Sequence, residues 1–94
     1  MDRDTFKENA KKSIDEIFAK IDELEAKKNQ AKAEVKEKYE KKIAELKLIK
    51  NDLQAKYDDL LNTSEDEWEE VKHSFSTSFD YLKKGIRELV SLFT

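Results

Sequence analysis

The stretch that decides the fold is Leu60-Leu61-Asn62-Thr63-Ser64-Glu65-Asp66-Glu67-Trp68, where one helical pattern stops and another begins. Ser64 and Glu67 have the spacing of a capping box, in which the serine hydroxyl and the glutamate carboxylate each accept a hydrogen bond from the other residue's backbone N–H. Acidic residues dominate the positions after Ser64, and acidic side chains stabilise a helix N-terminus through the helix dipole. The sequence therefore predicts a helical hairpin with a turn at 62–63 and a second helix over 64–93.

A further capping box, Thr5 with Glu8, precedes a long apolar stripe and predicts a first helix over 5–61. The stripe runs from Phe6 to Leu60, and its fifteen steps over 54 residues average 3.6 residues, the period of a straight α-helix. Its weakest point is Lys27-Lys28-Asn29-Gln30, and a break near Lys28–Gln30 would give a three-helix bundle instead. Because this segment contains neither glycine nor proline, we favour the continuous helix and keep the three-helix bundle as the alternative.

The second helix has an apolar stripe of its own, with steps of three and four residues from Trp68 to Phe93. Gly85 interrupts it as a weak point, but the stripe continues beyond the glycine, so we expect an unbroken helix. The two stripes face each other in the predicted antiparallel hairpin. The residues expected to pack there are Ile43, Leu46, Leu53, Tyr57, Leu60, Trp68, Val71, Phe75, Phe79, Leu82 and Ile86.

The lengths of the two predicted helices differ, and this difference predicts self-association. At about 1.5 Å per residue the first helix is ~85 Å long and the second ~45 Å, so the second covers only about half of the first. An apolar patch on the first helix is then left uncovered, and such a patch is typical of an interface. Its members are Phe6, Ile14, Ile17, Phe18, Ile21 and Leu24. The long hairpin therefore predicts an antiparallel dimer through this patch, whereas the three-helix alternative predicts a monomer.

Composition supports a single all-α domain over 1–94. The chain has 94 residues, of which 44% are charged, with one glycine and no proline, a composition typical of long helices. The N-terminal residues form no apolar run of the kind found in signal peptides, and no stretch approaches the ~20 apolar residues of a membrane span. We therefore predict a cytoplasmic protein.

Several function classes are disfavoured. Lysine and glutamate are interleaved and the net charge is −3, so the sequence lacks the one-sided basic patch of a nucleic-acid-binding protein. There is no cysteine, and His73 has only Glu69 one turn away, too few ligands for a metal site. The carboxylates lie on charged faces, many paired with lysine at i,i+4 as in Asp52 and Lys56. We predict no enzymatic activity, no catalytic residue, no cofactor and no metal.

A peripheral membrane protein is the alternative function. The second helix presents aromatic residues near Lys83, Lys84 and Arg87, a combination that lies on lipid surfaces in some amphipathic helices. The acidic residues at its start oppose binding to anionic lipid, so packing within the protein is the favoured role of this helix.

Two segments resemble a family of small bacterial coiled-coil proteins. They are Ala31–Leu46, rich in lysine, glutamate and alanine, and Ser64–Lys72, which has the pattern Ser-x-Asp-x-Trp-Glu-x-hydrophobic-Lys. A later element, Phe79-Asp80-Tyr81-Leu82-Lys83, is similar to the aromatic-x-x-Leu-Lys segment of that family, although Phe79 stands where tryptophan is common. The resemblance implies a non-catalytic coiled-coil protein with a stress-response association. Together, pattern and resemblance predict an oligomeric structural or interaction protein.

Overall fold

The computed structural model describes residues 2–92, which form three α-helices. Helix α1 spans Arg3–Ala26, α2 spans Ala33–Asn62 and α3 spans Trp68–Ser91, with a 3-10 turn at Lys28–Gln30. Both α1 and α3 fold back against α2, so the protein is all-α with antiparallel neighbouring helices, as predicted. Phe93, the predicted end of the second stripe, lies outside the described residues.

The continuous first helix over 5–61 is wrong, and the chain breaks where the alternative placed the break. Lys27 is still close to helical, with φ −88° and ψ 0°, and the direction changes at Ala31 and Lys32, whose ψ angles are 144° and 145°. The buried Tyr39 hydroxyl donates to the Leu24 carbonyl, an acceptor near the C-terminus of α1. The prediction relied on the absence of glycine and proline. Burial of the α1 stripe within one chain offsets the few helical hydrogen bonds that the break removes.

The helix caps differ from the predicted ones. Asp2 caps α1, because its carboxylate accepts from the N–H of Thr5 at 2.7 Å, and Thr5 and Glu8 therefore lie inside the helix. At the other junction the N–H of Glu67 donates to the backbone carbonyl of Ser64 at 3.3 Å, in a turn that precedes α3. Glu67 is the N-cap residue of α3 and its side chain makes no capping hydrogen bond.

The turn between α2 and α3 also differs from the predicted one at 62–63. Helix α2 includes Asn62, whose side-chain amide donates to the Asp58 carbonyl at 2.9 Å, and no described residue has a positive φ. Asn62 is thus not the left-handed residue that ends many helices. The connection extends from Thr63 to Glu67 and positions Trp68 as the first residue of α3.

One hydrophobic core runs along a bundle that measures 50 × 17 × 17 Å between Cα atoms. The patch predicted to join two chains lies in this core: Ile14, Ile17, Ile21 and Leu24 are buried, and Phe6 and Phe18 are half-buried against them. These six residues therefore pack within one chain, at about 1.5–3 kcal/mol for each buried aliphatic side chain. The residues predicted to close the hairpin lie in or against the same core: Ile43, Leu46, Leu53, Tyr57, Leu60, Trp68, Val71, Phe75, Phe79, Leu82 and Ile86.

Helix α3 continues through Gly85 to Ser91, as predicted. A Cβ atom at position 85 would overlap the Cδ2 atom of Leu46, a side chain that is fully buried. Glycine therefore permits the close approach of α2 and α3 at this point, which explains why a residue that destabilises helices lies inside one.

Candidate functional site

Five aromatic residues meet at the end of the bundle where α1 begins, α2 ends and α3 begins; we call Phe6, Tyr57, Trp68, Phe75 and Phe79 the aromatic cluster. Phe6 lies edge-to-face against Trp68 and Phe75, with centroid distances of 5.7 and 6.1 Å. Phe75 stacks on Phe79 at 6.2 Å and tilts against Tyr57 at 6.4 Å. Such pairs contribute about 0.5–1.5 kcal/mol each beyond their buried area. The cluster therefore joins all three helices.

A groove lies beside this cluster, between the parallel helices α1 and α3, and has a volume of about 240 Å³. Its lining is Phe6, Asn9, Ala10 and Ser13 of α1 with Phe75, Ser76, Phe79 and Asp80 of α3. We call it the α1–α3 groove. Its floor is aromatic and apolar, and it has one ionisable group, the Asp80 carboxylate. Such a groove can hold an apolar side chain but does not assemble an acid, a base and a nucleophile.

Cationic side chains surround the aromatic cluster. The Arg3 guanidinium lies 4.8 Å from the centroid of the Trp68 ring and also donates to the Thr63 carbonyl at 3.2 Å. The Lys72 ammonium lies 5.3 Å from the Phe6 ring, and the Lys83 ammonium 5.7 Å from the Phe79 ring. Cation–π contacts at exposed sites contribute about 0.5–1 kcal/mol each. Arg3 thus ties the start of α1 to the connection between α2 and α3.

A partly buried polar contact joins the middle of α2 to α3. Ser78, which is 6% exposed, donates from Oγ to Asp52 Oδ2 at 3.0 Å and accepts from Lys56 Nζ at 2.6 Å. The same Asp52 oxygen lies 2.9 Å from Lys56 Nζ. The hydrogen bond from Lys56 makes the largest contribution to lowering the pKa of Asp52 below its ordinary value, and the hydrogen bond from Ser78 makes the next largest. All three polar groups are paired with one another, so the contact fixes the position of α3 on α2.

Two further ion pairs lie toward the opposite end of the bundle. Lys47 Nζ is 2.5 Å from Glu25 Oε1, which joins α2 to α1, and Lys42 Nζ is 2.5 Å from Glu88 Oε2, which joins α2 to α3. The hydrogen bond from Lys47 lowers the pKa of Glu25, and that from Lys42 lowers the pKa of Glu88. These carboxylates are thus stabilised in their charged form, which is the opposite of what a general acid requires.

Other residues considered for chemistry lie apart. His73 and Glu69 are exposed on α3, and within residues 2–92 no group of three or more histidine, aspartate or glutamate side chains is arranged to hold a metal ion. No helix in the described part of the chain combines the length and apolar character needed to cross a bilayer. Of the aromatic residues on which the membrane alternative depends, Trp68 and Phe75 are buried in the core, Phe79 is half-buried and Tyr81 is exposed.

The contacts of Ser78 and of the Tyr39 hydroxyl are among those that the sequence analysis did not predict. Ser78 lies seven residues after Val71 and seven before Gly85 in the sequence, and all three are on the side of α3 that faces α2. This seven-residue spacing is the signal that could have placed Ser78 at the α2–α3 contact. Asp52 and Lys56 were recognised as an i,i+4 pair but not as partners of Ser78. No sequence pattern indicates the hydrogen bond of the Tyr39 hydroxyl, because its acceptor is a backbone carbonyl fifteen residues away.

Comparisons with protein-family models, with curated proteins and with solved structures give no significant match. The resemblance to small bacterial coiled-coil proteins therefore stays a prediction.

Proposed function

We propose that this protein is a non-catalytic interaction protein that acts by association with other protein chains, with a second copy of itself as the first partner. The observation that supports this proposal best is the open α1–α3 groove. Helix α2 packs against both neighbours, whereas α1 and α3 leave a groove between them that is lined by the half-buried rings of Phe6 and Phe79. A groove of this size and lining can receive one apolar side chain of a partner chain.

The distribution of charge supports a non-catalytic role. Within residues 2–92, the carboxyl groups whose pKa departs from the ordinary value are lowered, each by a hydrogen bond from a lysine or from the backbone. A catalytic acid near neutral pH needs the opposite shift, which a cavity away from water would provide. The polar groups of Ser78, Asp52 and Lys56 are occupied with each other.

The experiment that tests the proposal is the mass of the intact protein in solution, measured by light scattering over a wide concentration range. We expect a monomer in dilute solution and a reversible dimer as the concentration rises. A monomer at every concentration up to the millimolar range would overturn self-association. A cytoplasmic location belongs to the same proposal, and fractionation of cells that express the tagged protein tests it. The proposed link to bacterial stress is supported by the sequence resemblance alone.

Peripheral membrane binding is the second candidate, because α3 is amphipathic, exposes Tyr81 and Val90, and carries the basic residues Lys83 and Arg87 in the same segment. Its test is sedimentation with vesicles of anionic lipid, with neutral vesicles as the control, read by the fluorescence of the single tryptophan. Binding through an opened α3 predicts that the protein pellets and that Trp68 emission changes. Protein that stays in the supernatant with unchanged emission would exclude this candidate.

A further inference from the structure

The segment Lys27–Lys32, which we call the hinge, joins α1 to α2 by a turn held by backbone hydrogen bonds, among them Gln30 N–H to the Lys27 carbonyl at 2.9 Å. It contains neither glycine nor proline, no residue in it has a positive φ, and Lys32 caps α2 without a side-chain hydrogen bond. Lys27 already has near-helical angles, and Lys28–Gln30 form a 3-10 turn. Only Ala31 and Lys32 have extended ψ angles, so rotation of two backbone bonds toward the helical value straightens the hinge.

The apolar stripe remains in phase across the hinge. The four steps from Leu24 through Lys28, Ala31 and Val35 to Tyr39 cover 15 residues and average 3.75, close to the 3.6-residue period of a helix. A straightened helix over 3–62 therefore keeps the apolar faces of α1 and α2 on one line. The α1 face then extends beyond its own α2 and α3 and exposes the buried residues Ile14, Ile17, Ile21 and Leu24. In the closed monomer this face covers a surface formed by α2 and α3. A second, straightened copy of the chain exposes the same surface, which therefore fits the α1 face.

We propose that the protein dimerises by exchange of α1: the hinge becomes helical in both chains, and each α1 packs on α2 and α3 of the second copy. The core contacts of α1 are the same in the closed monomer and in the exchanged dimer, so the difference between them is confined to the hinge and to the entropy of association. The exchange gains helical hydrogen bonds at the hinge. It gives up the closed arrangement in which the Tyr39 hydroxyl caps the Leu24 carbonyl of its own chain. This inference rests on the proposed self-association, but it places the association at the hinge and not at the α1–α3 groove, which both forms contain.

The variant that separates the two forms is Lys32→Pro. In the closed monomer Lys32 has φ −60°, the value that proline requires, and the preceding Ala31 has the extended angles φ −67° and ψ 144° that a residue before proline prefers. In the straight helix a proline at this position removes one hydrogen bond and clashes with the preceding turn. Because the dimer contains two hinges, we expect dimerisation to weaken by about ten-thousandfold, with helix content and thermal stability retained.

The opposite variant is Asn29→Ala. Alanine has a higher helix propensity than asparagine, and Asn29 lies in the hinge, so we expect dimerisation to strengthen by about fivefold to tenfold. Asn51→Ala is the matched control, because Asn51 is exposed in the middle of α2 and is helical in both forms. The control should leave the dimerisation constant unchanged.

A crosslink identifies which chain provides α1. The protein has no cysteine, so the double variant Glu25→Cys with Lys47→Cys places two thiols at an observed α1–α2 contact. Treatment of the dimer fraction with a short bismaleimide should join two chains, seen as doubled mass on a denaturing gel, whereas the monomer fraction should crosslink within one chain.

The outcomes separate this inference from the proposed function. Dimerisation of the intact protein, its loss in Lys32→Pro and crosslinks between chains support exchange of α1. A dimer that persists in Lys32→Pro, or that crosslinks only within chains, overturns exchange while self-association stands. A monomer at all concentrations overturns both.

Discussion

Gly85→Ala tests whether the close approach of α2 and α3 is as tight as the structure shows. Alanine is better than glycine inside a helix by about 1 kcal/mol, so on an open helix face the substitution would stabilise the protein. Here the new methyl group would overlap Leu46 Cδ2, in a side chain with no exposed surface into which it could move. Overpacking of a core costs about 1–3 kcal/mol. The two effects together predict a change in the free energy of unfolding from about zero to a loss of 2 kcal/mol.

A second background makes this prediction sharper. Leu46→Ala alone should destabilise by about 2–5 kcal/mol, because it removes a fully buried side chain. In that background the overlap is absent, and Gly85→Ala should stabilise the protein by about 1 kcal/mol through helix propensity, with added packing in the space left by the leucine. Gly85→Ala should therefore be more favourable in the Leu46→Ala background than in the wild type by about 1–3 kcal/mol, which is the cost of the overlap.

The assay is urea unfolding of the four proteins at one temperature, followed by far-ultraviolet circular dichroism and by Trp68 fluorescence. The two probes report the helices and the aromatic cluster, and agreement between them supports a single transition. Stabilisation of the wild-type background by Gly85→Ala to the same extent as the Leu46→Ala background would refute the reasoning, since it would mean that the two helices do not meet at Leu46.

Two further predictions follow from the polar contacts. Ser78→Ala removes one buried hydroxyl but leaves the pair of Asp52 and Lys56, so we expect the free energy of unfolding in urea to fall by about 1–2 kcal/mol. The control, Thr77→Ala on the exposed side of α3, should change it by less than about 0.5 kcal/mol. Equal effects of the two substitutions would contradict the contact of Ser78 with α2. Lowered pKa values of Glu25, Asp52 and Glu88 mean that the unfolded chain binds more protons than the folded one near and below the ordinary values of 4.5 and 3.8. Their contribution is present at neutral pH and is lost as the pH falls through this range, so the thermal midpoint should decrease on acidification below about pH 4.5, and a midpoint that rises there would contradict the assignment.

The predictability of the fold differed from one segment to another. The stripe from Phe6 to Leu60 identified the core faces of α1 and α2, because a 3.6-residue period is a property of sequence. Periodicity alone could not reveal the reversal at Ala31 and Lys32, since a straight helix and a folded-back pair have the same pattern of buried residues. The two arrangements differ in whether α1 is buried by its own chain or by a second chain. The free energy of forming the turn at the hinge, weighed against the entropy of association, decides between them.

The candidate site was less accessible to sequence reasoning. Trp68, Phe75 and Phe79 were correctly placed on the apolar side of α3, but the meeting of their rings with Phe6 depends on α1 folding back. The capping box at Ser64 failed because its residues form the turn before α3, where the backbone carbonyl of Ser64 accepts the bond assigned to the hydroxyl. Local motifs identified the boundary between the helices but not the hydrogen bonds that form there.

Small-angle X-ray scattering on the monomer peak of a size-exclusion column, with the mass measured on the same fractions, tests whether one chain buries its own α1 by reversing at the hinge. We expect a monomer with a radius of gyration close to the 15.1 Å of the Cα atoms and a longest dimension near the 50 Å of the bundle plus its side chains. A monomer with a longest dimension of ~85 Å or more would contradict it, because that is the length of an unbroken helix over 5–61.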